Sequence, residues 1–87
     1  MKGDKMEEQS QQLVYSFSHG LGEEIQIAIR KFRDKHYIDV RHWFQTKNEN
    51  VFRPTKKGVF IPIERIGELQ KGVERLGKAA ESYKAAS

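Results

Sequence analysis

Apolar and polar side chains alternate in two successive runs between residues 25 and 44. In the first, Ile25, Ile27 and Ile29 share one face, with Gln26, Ala28 and Arg30 opposite and Phe32 continuing the second row. A period of two is the pattern of a half-buried strand. Arg33-Asp34-Lys35 then predicts a tight turn, because Asp tolerates the backbone angles such a turn imposes. Alternation resumes over 36–44, where Ile38 and Val40 face inward and Tyr37, Asp39, Arg41 and Trp43 face the other way. A shorter strand is predicted over 13–18, with Leu13, Tyr15 and Phe17 on one face, and His19-Gly20-Leu21-Gly22 breaks it. Residues 46–50 read as a hairpin loop. Beyond it, 51–57 is a third extended piece, marked as an edge or bent strand by Pro54, and Gly58 leads into a short fourth strand over 59–61.

From about Ile63 the period lengthens to roughly three and a half. Ile66, Leu69, Val73, Leu76, Ala80 and Tyr83 form a narrow apolar seam along one helix. Gly67, Gly72 and Gly77 lie inside that helix, each at a cost of about 1 kcal/mol relative to Ala. The fold class is therefore α+β: a curved four-stranded antiparallel sheet followed by one C-terminal helix, with room for an extra N-terminal strand. The domain spans 13–78, preceded by a polar, disordered lead over 1–12 and followed by a fraying helical tail over 79–87. One helix covers only one face of such a sheet, so the face bearing Arg30, Phe32, Tyr37, Arg41 and Trp43 is left for a ligand.

Charge sharpens that expectation. The chain has 87 residues and a net charge of +4, but residues 26–58 alone carry nine Lys/Arg against three acids, a net +6. Phe32, Tyr37, Trp43, Phe44 and Phe52 are interleaved with these cations. Cations set among aromatics suit a polymer with a charged backbone and unpaired flat bases, which is single-stranded nucleic acid. A chain this short buries little surface, and without cysteine it has no disulfide to compensate. Oligomerisation is the remaining common remedy. No apolar run approaches the length needed to cross a bilayer and no signal peptide is evident, so an intracellular protein with no membrane partner is expected.

The run Phe32-Arg33-Asp34-Lys35-His36-Tyr37-Ile38-Asp39-Val40-Arg41-His42-Trp43-Phe44 resembles the Phe-Lys-Gly-Lys, Ile-Asp-Ile-Arg, aromatic-aromatic pattern of the positive cofactor 4 transcriptional coactivator family. Arg53-Pro54-Thr55-Lys56-Lys57-Gly58-Val59 is similar to that family's basic segment before its helix. The resemblance covers about residues 25–76. It implies a homodimer of four-stranded sheets whose helices pack through Ile66, Leu69, Val73 and Leu76. It also implies a single-strand-binding groove in which Phe32 and Phe44 stack on bases and Arg33, Lys35, Arg41, Arg53, Lys56 and Lys57 contact the backbone. Three departures stand out: Asp34 replaces a turn glycine, Thr55 replaces a loop glycine, and Pro62 stands where an Asn would cap the helix. A Ser-rich acidic N-terminal region of the kind carried by eukaryotic members is missing, which favours a compact microbial or viral form.

Taken together, the nucleic-acid-binding set is Arg30, Phe32, Arg33, Lys35, Tyr37, Arg41, Trp43, Phe44, Arg53, Lys56 and Lys57. Phe44 falls on the parity of the Ile38/Val40 row, so it is either core or, if the strand bends near Trp43, a base stacker. Leu69 and its neighbours serve the sheet, the dimer or both. No metal is expected: His36 and Asp39 point to opposite faces, and His36 and His42 are roughly 20 Å apart along a strand. No cofactor is called for, and without a nucleophile–base pair, a phosphate loop or paired carboxylates an enzyme is not expected. The reading is a single-stranded DNA-binding coactivator-type protein acting in transcription, replication or repair. RNA binding and a protein-docking module for transcription or replication proteins are the alternatives. The compartment is cytoplasm or nucleoid in a prokaryote, and nucleus or organelle in a eukaryote.

Overall fold

The computed structural model describes residues 11–48 and 50–86. Four strands, β1 (Gln11–Ser18), β2 (Glu23–Phe32), β3 (Lys35–Gln45) and β4 (Phe52–Pro62), form one antiparallel sheet in the order β1-β2-β3-β4. A 3₁₀ turn (Ile63–Arg65) leads into the helix α1 (Ile66–Ala86). The expected N-terminal strand is thus one of the four, and the two pieces expected at 51–57 and 59–61 are a single strand. Gly58 is what joins them. A Cβ there would stand 2.7 Å from the carbonyl oxygen of Val40 and 3.0 Å from Cα of Arg41, so only glycine lets β4 approach β3 and continue. The expected lead over 1–12 lies outside the described residues except for Gln11 and Gln12, which belong to β1.

The β2–β3 turn is tighter than the three residues expected. Phe32 pairs with Lys35, leaving Arg33 (φ 52°) and Asp34 (φ 67°) as a two-residue loop with both residues left-handed. That is the type I′ geometry whose twist matches the flanking strands. The register then runs without interruption to Glu23 opposite Phe44. Directly opposed residues of an antiparallel pair share a face, so the sheet has two distinct sides. Ile25, Ile27, Ile29, Ile38, Val40, Val59 and Ile61 occupy one, the isoleucine face. Ala28, Arg30, Phe32, Lys35, Tyr37, Asp39, Arg41, Trp43 and Phe60 occupy the other, the arginine face.

In β1 the simple alternation fails. The register shifts between Leu13 and Tyr15, so Leu13 lies opposite Ala28 while Tyr15 and Phe17 lie opposite Ile27 and Ile25. The bulge at Val14 therefore moves Leu13 onto the arginine face, where an extra residue resets which side chains point inward.

Pro62 ends β4 with no side-chain cap, and the 3₁₀ turn replaces one: the Ile66 N–H donates to the Ile63 carbonyl. After this turn α1 parts from the sheet. Ile63 and Ile66 close one side of an open apolar groove of about 280 Å³ against Val14, Ile27, Ile29 and Ile38. Beyond them α1 has no buried residue, and Val73 and Leu76 are 55% and 65% exposed. Only Ala28 (3%), Ile38 (5%) and Asp39 (3%) are fully buried among the described residues. The isoleucine face, expected to be the covered core, is only half-buried because the helix does not lie across it.

Candidate nucleic-acid interface

The arginine face is organised around the buried Asp39. Its two carboxylate oxygens accept hydrogen bonds at 3.0 Å from Nη1 of Arg30 and Nε of Arg41. These partners lie on separate strands, with Arg30 diagonal to Asp39 across β2–β3 and Arg41 two residues along β3. A buried carboxylate shared by two guanidinium groups fixes both and leaves one net positive charge. Arg41 is held a second time, donating from Nη1 to the Thr55 carbonyl at 2.9 Å.

That last contact depends on an irregularity in β4. Arg41 pairs with Gly58 but Trp43 pairs with Pro54, so Thr55, Lys56 and Lys57 stand against His42 alone. The Thr55 hydroxyl ties this bulge down. It donates to the His42 carbonyl at 2.9 Å and accepts from the Lys57 N–H at 3.0 Å. The departure from a loop glycine thus supplies a side chain that stiffens the loop and turns Lys56, in the bulge, toward solvent.

Aromatic groups complete the face. Tyr37 stacks on Phe60 with ring centroids 4.4 Å apart and planes 12° from parallel, and the Arg30 guanidinium sits 5.7 Å from the Phe60 centroid. At the hairpin end Arg33 lies 5.1 Å over the ring of Phe32. Phe32 is 42% exposed beside the exposed Lys35, a flat surface with cations around it.

Arg30, Phe32, Lys35, Tyr37, Arg41 and Trp43 therefore come together on one face, with Arg33 at its tip. The other four, Phe44, Arg53, Lys56 and Lys57, lie elsewhere, Lys56 in the β4 bulge. Phe44 is opposite Glu23 and Arg53, on the isoleucine side, because the β2–β3 register carries no bend that would turn it over. Its ring is nonetheless 41% exposed, so it is not core in the chain as folded. Lys57 lines a pocket on that same side with His42, Glu23 and His19. There His42 lies 2.9 Å from a carboxylate oxygen of Glu23. This hydrogen bond holds the Glu23 carboxyl below its ordinary range, opposed by desolvation and aided by the charges of His42, His19 and Lys57.

Phe60 was not anticipated, nor were the hydrogen bonds of Thr55, nor that Asp39 holds Arg30 as well as Arg41. The last was within reach: a two-residue turn at Arg33-Asp34 places Ala28 opposite Asp39 and so Arg30 on its diagonal.

The sequence profile of Transcriptional Coactivator p15 (PC4) matches residues 20–72, well over half of the chain. The chain belongs to the PC4 family. No curated protein matches it in sequence. Among solved structures, the bacteriophage T5 homologue of the eukaryotic coactivator PC4, implicated in recombination-dependent DNA replication, is 23% identical with a TM-score of 0.67. That match covers 83% of this chain and 82% of the phage protein. A PC4 homologue from Burkholderia pseudomallei in a tetragonal crystal form is 24% identical with a TM-score of 0.70, over 78% of this chain and 98% of that one. Its orthorhombic form gives a TM-score of 0.69 at 24% identity, covering 78% and 90%. The likeness is one of fold: an open antiparallel sheet followed by a helix. The described helix of this PC4 family member is not long and apolar enough to cross a membrane.

Proposed function

We propose that this PC4 family member is a homodimeric single-stranded DNA-binding protein, without enzymatic activity, that holds unpaired strands during transcription, replication or repair inside the cell. The observation that carries the reading is the arginine face: an exposed Phe32 flanked by Arg33 and Lys35, next to two arginines fixed in place by a buried Asp39. Phosphates are attracted by the cations, and the unpaired bases stack on the open aromatic surface. Every base offers a π-face, so sequence preference is weak. Duplex DNA is disfavoured because its bases are already stacked.

The dimer is supported by what one chain leaves uncovered. Ile66, Leu69, Val73 and Leu76 form a seam on α1 whose last two residues stand more than half exposed, and the isoleucine face beside it is half-open. A second copy supplies a matching seam, and burying the two removes apolar area from water at about 25 cal/mol per Å². Phe44, Arg53 and Lys57, off the arginine face, join the binding surface only where a strand passes the sheet end.

The test is competition of oligo-dT, oligo-rU and duplex DNA for the protein at several salt concentrations. Preference for dT over duplex is expected. If about five cations neutralise phosphates, log affinity falls against log salt with a slope near −3.5. Salt-independent binding would remove the electrostatic part, and equal or better binding of rU would make the ligand RNA.

A further inference from the structure

On the isoleucine side, at the sheet end away from the Arg33-Asp34 turn, the β1–β2 loop brings two side chains against β3. The His19 N–H donates to the Glu23 carbonyl at 2.9 Å, the Glu23 N–H donates to the Gly20 carbonyl at 3.0 Å, and the Gln45 N–H donates to the Gly22 carbonyl at 2.8 Å. Gly20 (φ 123°) and Gly22 (φ 73°) allow this tight path, which L side chains rarely adopt. It sets His19 and Glu23 over His42. One ligand atom from each of the three lies within 4.8 Å of the others, and the two imidazoles meet edge to face at 5.4 Å between centroids.

The hydrogen bonds around His42 are informative. The Thr55 hydroxyl donates its proton to the His42 carbonyl, so toward the His42 ring it acts as an acceptor, 3.4 Å from Nδ1. With the proton on Nδ1, the lone pair of a neutral imidazole is on Nε2, and Nε2 faces the Glu23 carboxylate at 2.9 Å. In the other tautomer Nε2 carries the proton and donates to Glu23; in this one a cation takes that proton's place. A proton satisfies that pair alone. A metal ion also uses the second imidazole, and Thr55 then plays the part of the outer partner that orients a metal-bound histidine.

We propose that His19, Glu23 and His42 form a three-ligand site for a divalent transition-metal ion of the zinc type. Two imidazoles and one carboxylate are a known zinc donor set, with a fourth position left open, here toward a pocket of about 390 Å³. The exposed His19 ring closes the remaining gap by side-chain rotation. Binding at Nε2 of His42 leaves the ring proton on Nδ1, toward the Thr55 hydroxyl. The ion clamps the β1–β2 loop to β3 in a chain with few fully buried side chains, the role metals play in other small scaffolds. Lys57 lines the same pocket and adds a positive charge near Glu23, which a bound ion would have to share.

The test is calorimetric titration of the untagged, chelator-treated protein with zinc chloride, accompanied by thermal denaturation. One zinc per chain and a higher melting temperature are expected, with no response to magnesium, which prefers oxygen donors. Cobalt(II) should give the visible absorption of a four-coordinate site. His19→Ala keeps the fold, because His19 is exposed in a loop, and should weaken zinc binding about tenfold or more, by analogy with the loss of even an outer-shell partner. His36→Ala should leave it unchanged, and Lys57→Gln should tighten it. Absence of saturable binding, or binding that survives His19→Ala intact, would overturn the site and leave a His42–Glu23 hydrogen bond only.

Discussion

The two sides of this sheet are finished to different degrees. On the arginine face the buried carboxylate finds its partners within one chain: Asp39 lies between Arg30 and Arg41, Arg41 reaches the Thr55 carbonyl, and Tyr37 lies on Phe60. On the isoleucine face and along α1 the apolar residues outnumber their partners, and the helix leaves the sheet after Ile66. The difference teaches what each side is for. A preset polar surface keeps its shape before a ligand arrives, which lowers the ordering cost of binding. An open apolar seam is the surface that the proposed second copy would cover.

The comparison breaks most visibly on the unfinished side. In the proposed dimer, Leu69→Asp or Val73→Asp should introduce an unpaired charge into a dry helix–helix contact, at a cost of several kcal/mol. Light scattering of wild type should give twice the 10.2 kDa chain mass, and the variants should dissociate or unfold. A stable wild-type monomer would show that the apolar side is complete as it stands. On the finished side, Asp39→Ala should remove the shared acceptor and leave two guanidinium groups crowded without it, destabilising the fold by roughly 3 kcal/mol in urea denaturation. A loss within about 0.5 kcal/mol, the range of an ordinary surface change, would mean the arginines do not depend on it. Asp34→Gly sharpens the comparison at the hairpin tip. It should relieve a left-handed residue by roughly 1 kcal/mol and raise oligo-dT affinity slightly, because a negative charge beside Arg33 is lost.

Much of the sheet could be read from side-chain order because its key contacts are local. The alternation in β2 and β3 separates the isoleucines from Arg30, Tyr37 and Arg41, and the change of period at Ile63 marks where the strands end. Features set by non-local pairing were harder to see. The Val14 bulge reverses the facing of Leu13 without any Gly or Pro to announce it. The β3–β4 register depends on how Thr55, Lys56 and Lys57 bulge opposite His42, which no spacing along the chain encodes. The same contact over a distance in sequence hid the cluster of His19, Glu23 and His42, while His36 and Asp39, nearer to His42 along the chain, fall on positions that cannot meet it. Phe44 shows the limit of matching motifs alone: its place in the motif pairs it with Phe32, yet the unbroken register puts the two rings on opposite faces.

Binding of oligo-dT to wild type and to Phe32→Ala across a salt series tests the central claim most directly. Base–aromatic stacking contributes about 1–3 kcal/mol per base, so the variant should bind roughly 5- to 150-fold more weakly while remaining folded. Its line of log affinity against log salt should run parallel to wild type, since no phosphate contact is lost. Arg41→Ala in the same series should instead flatten the slope by about 0.7. A folded Phe32→Ala protein whose line coincides with wild type would contradict the account, leaving the arginine face a patch of charge and not a stacking surface.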